Sequence, residues 1–236
     1  LAEAVAEGAR AVEGTTVHLL SVVDEDAAAP GRIHTVLASA DAIIFGCPTY
    51  MGSASAPFKA FMDSTSAVWA LQGWRDKIAG AFTHSAALSG DKLGTLTQLA
   101  VFAAQHGMIW VGLGLPPTYV GLETSADAED TNRLGSHLGA MAQSRPGGGA
   151  VPLGDRKTAS LLGRRVAEAT RRWNRRGYSP SQIPSVPRHD TARGWIFPPS
   201  ARNTQTTLPR GIVRTSLREI VARPERFEHH LVVCAS

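Results

Sequence analysis

Apolar positions along this chain fall into short blocks that switch between helical and strand spacing. Leu1, Val5, Ala9 and Val12 recur at helical intervals and stop at Gly14. Residues 16–23, TVHLLSVV, are rich in β-branched side chains and short enough to be a strand. Residues 32–39 fit one or two helical turns. The next stretch, DAIIFG at 41–46, is a continuous apolar run of the kind found in strands buried on both faces, and Pro48 is expected to end it. Past a loop at 48–53, Phe58, Phe61 and Met62 share a helical face. Ser55 suits a cap and Pro57 a first turn, so a helix is expected to reach about Val68.

Residues 78–83 predict a third strand and 92–105 a helix, with Leu93, Leu96, Leu99 and Ala103 lining one side before Gly107. Residues 108–113 predict a fourth strand, ended by Pro116 and Pro117. The Gly-rich, polar stretch 121–154 is longer than an ordinary connection and reads as functional or disordered. A last helix over about 155–174 places Leu162, Val166, Ala169 and Trp173 on one face. Strands alternating with helices predict an α/β fold, a doubly wound parallel sheet in a three-layer αβα arrangement. Beyond it the pattern breaks down: seven prolines between Pro180 and Pro224 interrupt any period, and only 216–221 and 231–234 resemble brief elements. Residues 1–176 are therefore read as the domain and 177–236 as an irregular, disordered tail.

Composition narrows the class. With 236 residues and 43% hydrophobic content the chain can build a real core. No apolar run approaches the roughly 18–20 residues of a membrane-spanning helix, which points to a soluble chain with no membrane insertion. Two cysteines, Cys47 and Cys234, make neither a disulfide framework nor a multi-cysteine zinc site, and the eight histidines are scattered, so no metal is expected. A reducing cytoplasm is the expected compartment. The net charge of +4 is uneven: residues 1–150 hold 8 Lys and Arg against 14 Asp and Glu, and residues 151–236 hold 16 against 6. A basic end can bind nucleic acid, and salt-dependent binding by that region alone would be needed to sustain this reading; a solvated basic surface explains it otherwise, and no nucleic-acid partner is expected.

In open α/β sheets ligands bind beyond the carboxyl ends of the strands. Two strand-end loops therefore carry the candidate chemistry. In the first, Pro48, Thr49, Tyr50, Met51 and Gly52 offer a hydroxyl, an aromatic plane and a backbone that can approach a ligand closely, which suits a planar heterocycle. In the second, Ser85, Ala86, Ala87, Leu88, Ser89 and Gly90 are small and polar, with backbone N–H groups suited to the electron-rich edge of a ring. Either loop is also readable as a plain connector. Cys47 reads as a small buried hydrophobe. No G-x-G-x-x-G opens a helix, which argues against a clamped dinucleotide.

In combination, ADAIIFGCPTYMG, PFKAFMDSTSAVW, HSAALSGDK, QHGMIWVG and GRRVAEATRRW resemble, in order and spacing, the WrbA-type branch of the flavodoxin-like family, the NAD(P)H:quinone oxidoreductases. The resemblance spans roughly residues 1–175. It implies FMN as cofactor, held at the isoalloxazine by Pro48 to Gly52 and by Ser85 to Gly90, although Ala86, Ala87 and Leu88 stand where the family often has glycines. It places His106 near the flavin and Trp69 beside the substrate pocket; a helix-end hydrogen bond for His106 and a core position for Trp69 are the structural alternatives. The implied reaction is two-electron transfer from NAD(P)H to a quinone by a homo-oligomer, dimer or tetramer. An FMN electron carrier without small-molecule turnover is the alternative.

The same resemblance implies that the chain starts inside the first helix, without the family's first strand and phosphate loop. In the 2-1-3-4-5 strand order that leaves the middle of the sheet vacant, between residues 16–23 and 41–46, with unmet backbone groups at about 1–3 kcal/mol each. Weak FMN binding is the corresponding expectation.

Overall fold

The computed structural model describes residues 1–23, 32–118, 127–144, 150–175 and 230–235. Helices α1 (Ala2–Arg10), α2 (Arg32–Ser39), α3 (Ala56–Ser64), α4 (Ser66–Ala70), α5 (Lys92–Gln105) and α6 (Leu153–Asn174) surround strands β1 (Thr16–Ser21), β2 (Ala42–Tyr50), β3 (Ser53–Ala54), β4 (Ile78–Ser85), β5 (Ile109–Trp110), β6 (Ala140–Gln143) and β7 (His230–Ala235). The main sheet runs β1-β7-β2-β4-β5, with β6 also beside β4. Leu1–Gly177 and Arg226–Ser236 make one compact unit; the second, Tyr178–Glu225, lies outside the described residues.

The centre of the sheet departs from the sequence expectation. It is not vacant: β7 stands between β1 and β2 and pairs antiparallel with both, Val233 facing His18 on one side and Ile43 on the other. The sheet is consequently mixed rather than all parallel, although β2, β4 and β5 pair parallel as predicted, and β6, which the sequence reading did not foresee, pairs parallel with β4 as well. The segment HLVVCA suits this position because a central strand covered on both faces needs apolar side chains in both directions. Leu231 and Val233 enter one core, Val232 and Cys234 the other. The tail reading therefore does not extend to residues 230–235, where brief strand character was legible at 231–234; residues 177–229, including the other brief element at 216–221, lie outside the described residues.

Two apolar layers flank the sheet. On one side Ile43, Phe45, Ala79 and Ala81 meet Ile33 and Leu37 of α2, Phe58 of α3, and Leu96, Leu99 and Phe102 of α5. On the other, Ala42, Ile44, Ile78 and Phe82 meet α1 and α6 through Val5, Ala9, Leu162 and Val166. This is the expected three-layer arrangement, and it presents the carboxyl ends of β2 and β4 at one rim.

Several local expectations change. Strand β2 does not stop at Pro48, which pairs with His84 of β4 and lacks an N–H only where the strand is about to leave the sheet. It continues into a hairpin with β3, Thr49 facing Ala54 and Tyr50 facing Ser53. The predicted helix to Val68 breaks at Thr65 into α3 and α4. The fourth predicted strand shortens to β5, which pairs with the start of β4; β6, from within the long 121–154 stretch, pairs with its end. One strand position is thus filled in two pieces, and 111–118 and 127–139 form part of the intervening loop. On α5, Leu93 faces outward at 59% exposure while Lys92 is buried.

Candidate functional site

The two candidate loops lie side by side at the rim of β2 and β4. In the first, Met51 and Gly52 both have positive φ, 47° and 73°, the mark of a type I′ turn, which twists correctly for a two-residue hairpin. The turn rests on α5: the Ser53 hydroxyl and the Ala54 N–H donate to Gln98 Oε1 at 3.0 and 3.2 Å. Gly94 allows this contact, since a Cβ there would sit 2.8 Å from the Gly52 carbonyl oxygen. Pro48 is buried. The Thr49 hydroxyl is not offered to a ligand; it lies 2.8 Å from both the Thr83 and Thr95 hydroxyls, tying the two strand ends to α5. Tyr50 and Met51 are exposed and form an apolar rim.

In the second loop, each backbone carbonyl from Ser85 to Ser89 accepts a hydrogen bond from the protein. Ser144 N–H reaches Ser85, Gln143 Nε2 reaches Ala86 at 3.1 Å, Lys92 Nζ reaches Ala87 and Leu88, and Lys92 N–H reaches Ser89. In a trans peptide the carbonyl and the following N–H point in opposite directions. The N–H groups of Ala86, Ala87, Leu88, Ser89 and Gly90 accordingly turn outward, and none donates to a group among the described residues. Gly90, at φ 54°, lets the loop close on itself, because a Cβ would fall 2.1 Å from Ser85 Oγ.

A buried ion pair supports this loop from behind. Arg133 Nε and Nη2 donate to the two Asp155 oxygens at 2.8 and 2.9 Å, the side chains being 9% and 1% exposed. Gln143 N–H also donates to Asp155 at 2.8 Å, and the same glutamine holds Ala86. Asp155→Asn leaves the guanidinium buried without its counter-charge, and the expected loss is about 3–5 kcal/mol of stability. Urea unfolding measures it; a change under about 1 kcal/mol would show that the pair is not holding this corner.

Trp69 and His106 are brought near each other but not to these loops. His106 follows the last turn of α5, and Gly107 O accepts from Asp76 N–H just before β4 begins, at the amino end of the strands. The length of β4 therefore separates His106 from residues 85–90. His106 is 2% exposed, with its ring 4.4 Å from that of Trp74 and 4.8 Å from that of Phe102. The Thr65 hydroxyl donates to Met62 O at 2.7 Å and so accepts from His106 Nε2 at 3.0 Å, which fixes the Nε2–H tautomer. Burial lowers its pKa, and the ring is a neutral core group. Trp69 is half exposed on α4, beside Gln72, whose amide donates to the carbonyls of Trp69 and Gln105. Cys47 is buried, as expected, and burial raises its thiol pKa.

The group that sequence reasoning missed is Lys92, which shares the helical face of Leu96, Leu99 and Ala103. Its signal was present: a lysine as the first helical residue opposes the helix dipole, an unfavourable position unless something holds the charge. Among the described residues no cluster of three or more His, Cys, Asp or Glu could hold a metal, and no helix is long and apolar enough to cross a membrane.

The outward donors of 86–90, the apolar rim of Tyr50 and Met51, and a position at the carboxyl ends of parallel strands together fit the polar edge and flat face of an isoalloxazine. Comparison with known proteins agrees. The model of the NADPH-dependent FMN reductase family matches residues 1–115. The chain is 42% identical over 170 residues to flavodoxin FldP of Pseudomonas aeruginosa, covering 71% of this chain and 86% of that protein. It is 35% identical over 192 residues to an NAD(P)H dehydrogenase (quinone) of Geobacter sulfurreducens, covering 74% and 92%. The crystal structure of a WrbA-like flavodoxin from Agrobacterium tumefaciens superposes with a TM-score of 0.51 at 39% identity, over 72% of this chain and 87% of that one. By its fold, its loops and these relatives, the chain belongs to the WrbA-type branch of the flavodoxin-like family.

Proposed function

We propose that this protein is an FMN-dependent oxidoreductase that passes two electrons from NAD(P)H to a quinone. The observation that carries this is the row of outward N–H groups at 86–90, with the matching carbonyls all engaged behind them. FMN, when bound, supplies the redox chemistry, accepting hydride from NAD(P)H and returning two electrons to the acceptor. The chain's share is to orient and to stabilise charge. The N–H groups of 86–90 would hold the pyrimidine edge and stabilise the negative charge that reduction brings there, and Tyr50 and Met51 would cover the ring.

Trp69 is too far along the sheet to meet a ring bound by the loops of its own chain. The reading includes a homo-oligomer, dimer or tetramer, as the family resemblance implies, and light scattering checks it. A reducing cytoplasm suits two free, buried cysteines.

The test is an FMN titration followed by flavin fluorescence, then NADPH oxidation with benzoquinone as acceptor. Saturable quenching and FMN-dependent turnover are expected. Quenching without turnover supports the electron-carrier reading, which the Pseudomonas relative's name favours. No quenching removes the flavin site from these loops.

A further inference from the structure

Lys92 closes the HSAALSGDK motif, yet the family resemblance gives it no role, and its ammonium is fully engaged beside the site. Its side chain is fully buried at the first residue of α5, where both the low dielectric and the helix dipole oppose a positive charge. Its three ammonium hydrogens meet three acceptors: Ser85 Oγ at 3.0 Å, Ala87 O at 2.7 Å and Leu88 O at 2.8 Å. The Ser85 hydroxyl in turn donates to Ala87 O at 3.2 Å, and the loop closes over the ammonium only because position 90 is glycine.

We propose that Lys92 is the positioning residue of the ring-binding loop: its buried ammonium draws the carbonyls of Ala87 and Leu88 inward, and thereby turns the N–H groups of Leu88 and Ser89 toward an electron-rich ligand edge. The charge acts twice. It fixes the peptide planes, and it lies behind donors that face developing negative charge, where little water screens it. This rests on the flavin reading of the loop and adds to it the group that sets the loop's shape and polarity.

The inference makes binding depend on pH. Burial lowers the pKa of Lys92 from the ordinary lysine value to about 8, Asp155 of α6 opposing the shift and Arg133 adding to it. Above that pH the neutral amine offers two hydrogens to three acceptors, so one contact is released. The effect on folding has the opposite sign. An unfolded lysine holds its proton to higher pH than the folded one, so between about 8 and the ordinary lysine range this group makes the fold more stable as pH rises. Weaker binding at pH 9 is therefore not unfolding at this residue.

The experiment is a fluorescence titration of the full chain with FMN and with riboflavin, from pH 6.5 to 9.5, on the wild type and on Lys92→Met, with circular dichroism to follow the fold. Riboflavin lacks the phosphate, so a response shared by both flavins belongs to the ring. Wild-type affinity for both is expected to fall about tenfold with a midpoint near pH 8, the scale of one charge-assisted contact; Lys92→Met is expected to bind about tenfold more weakly at pH 7, with no such midpoint. Wild-type binding without this pH response, or wild-type affinity in Lys92→Met, overturns the inference and leaves the flavin site standing. No binding of either flavin at any pH sinks both. If Lys92→Met does not fold, the wild-type riboflavin profile decides alone.

Discussion

Replacing Val232 by Asp is expected to abolish the cooperative unfolding transition, and so is deletion of the six residues of β7. Leu231, Val232, Val233 and Cys234 are each at most 1% exposed, at the centre of the sheet and with one pair in each core. Burying a side chain of this size contributes about 1.5–3 kcal/mol. Four of them together are comparable with the whole stability of a domain, about 5–15 kcal/mol. Deletion also bares the edges of β1 and β2, which β7 pairs over six and five residues respectively. Val232→Asp keeps the chain length and the ladder but places an unpaired carboxylate beside Ala42, Ile44 and Val166. Urea unfolding followed by circular dichroism measures both variants. A wild-type midpoint in either would mean that the C-terminal strand does not complete the sheet.

The second large effect is expected at the crossing of α1 and α6. A Cβ on Gly163 would lie 1.9 Å from Val5 O, and one on Gly8 would lie 1.8 Å from Ser160 O. The helices therefore touch backbone to backbone at two points. Neither contact can be relieved by turning a side chain, because the obstructing atoms are carbonyls. Overfilling a core usually costs about 1–3 kcal/mol. Here the helix axes must separate, which loosens Val5, Ala6 and Ala9 from Ala159, Leu162 and Val166, so Gly163→Leu is expected to lose about 4 kcal/mol or more. Gly163→Ala should move the urea midpoint in the same direction by less. An unchanged midpoint in Gly163→Leu would show that the crossing is not close-packed.

These two sites differ in how far the sequence announced them. The helical period of 155–174 predicted α6 and its buried Leu162 and Val166, but a glycine within a helix shows only that something comes close, not what. Similarly, the apolar run at 231–234 was readable as a brief element, while its place in the sheet was not. Strand character depends on the side chains of one segment. Strand order and direction depend on which unpaired edge, hundreds of atoms away along the chain, that segment meets.

The candidate site divides along the same line. Both loops were legible because proline, glycine and small polar residues between apolar blocks mark the turns where parallel strands end. Their side-chain roles were less so. Thr49 looked like a ligand hydroxyl until Thr83 and Thr95 were found to share it, and His106 looked like a pocket residue until Trp74, Phe102 and Thr65 were found to enclose it. Lys92 drew no notice in the sequence, and its role appears only where its hydrogens meet the carbonyls of the loop before it.

By itself, then, the sequence determined the alternation of strands and helices, the two buried faces of the sheet and the loops at its rim, since these follow from local hydrophobic period and turn chemistry. Only the tertiary structure decided that an antiparallel C-terminal strand fills the centre, and which polar groups face a ligand. Both are choices between partners distant in sequence, and a hydrogen bond or an apolar contact is read only where the two partners meet.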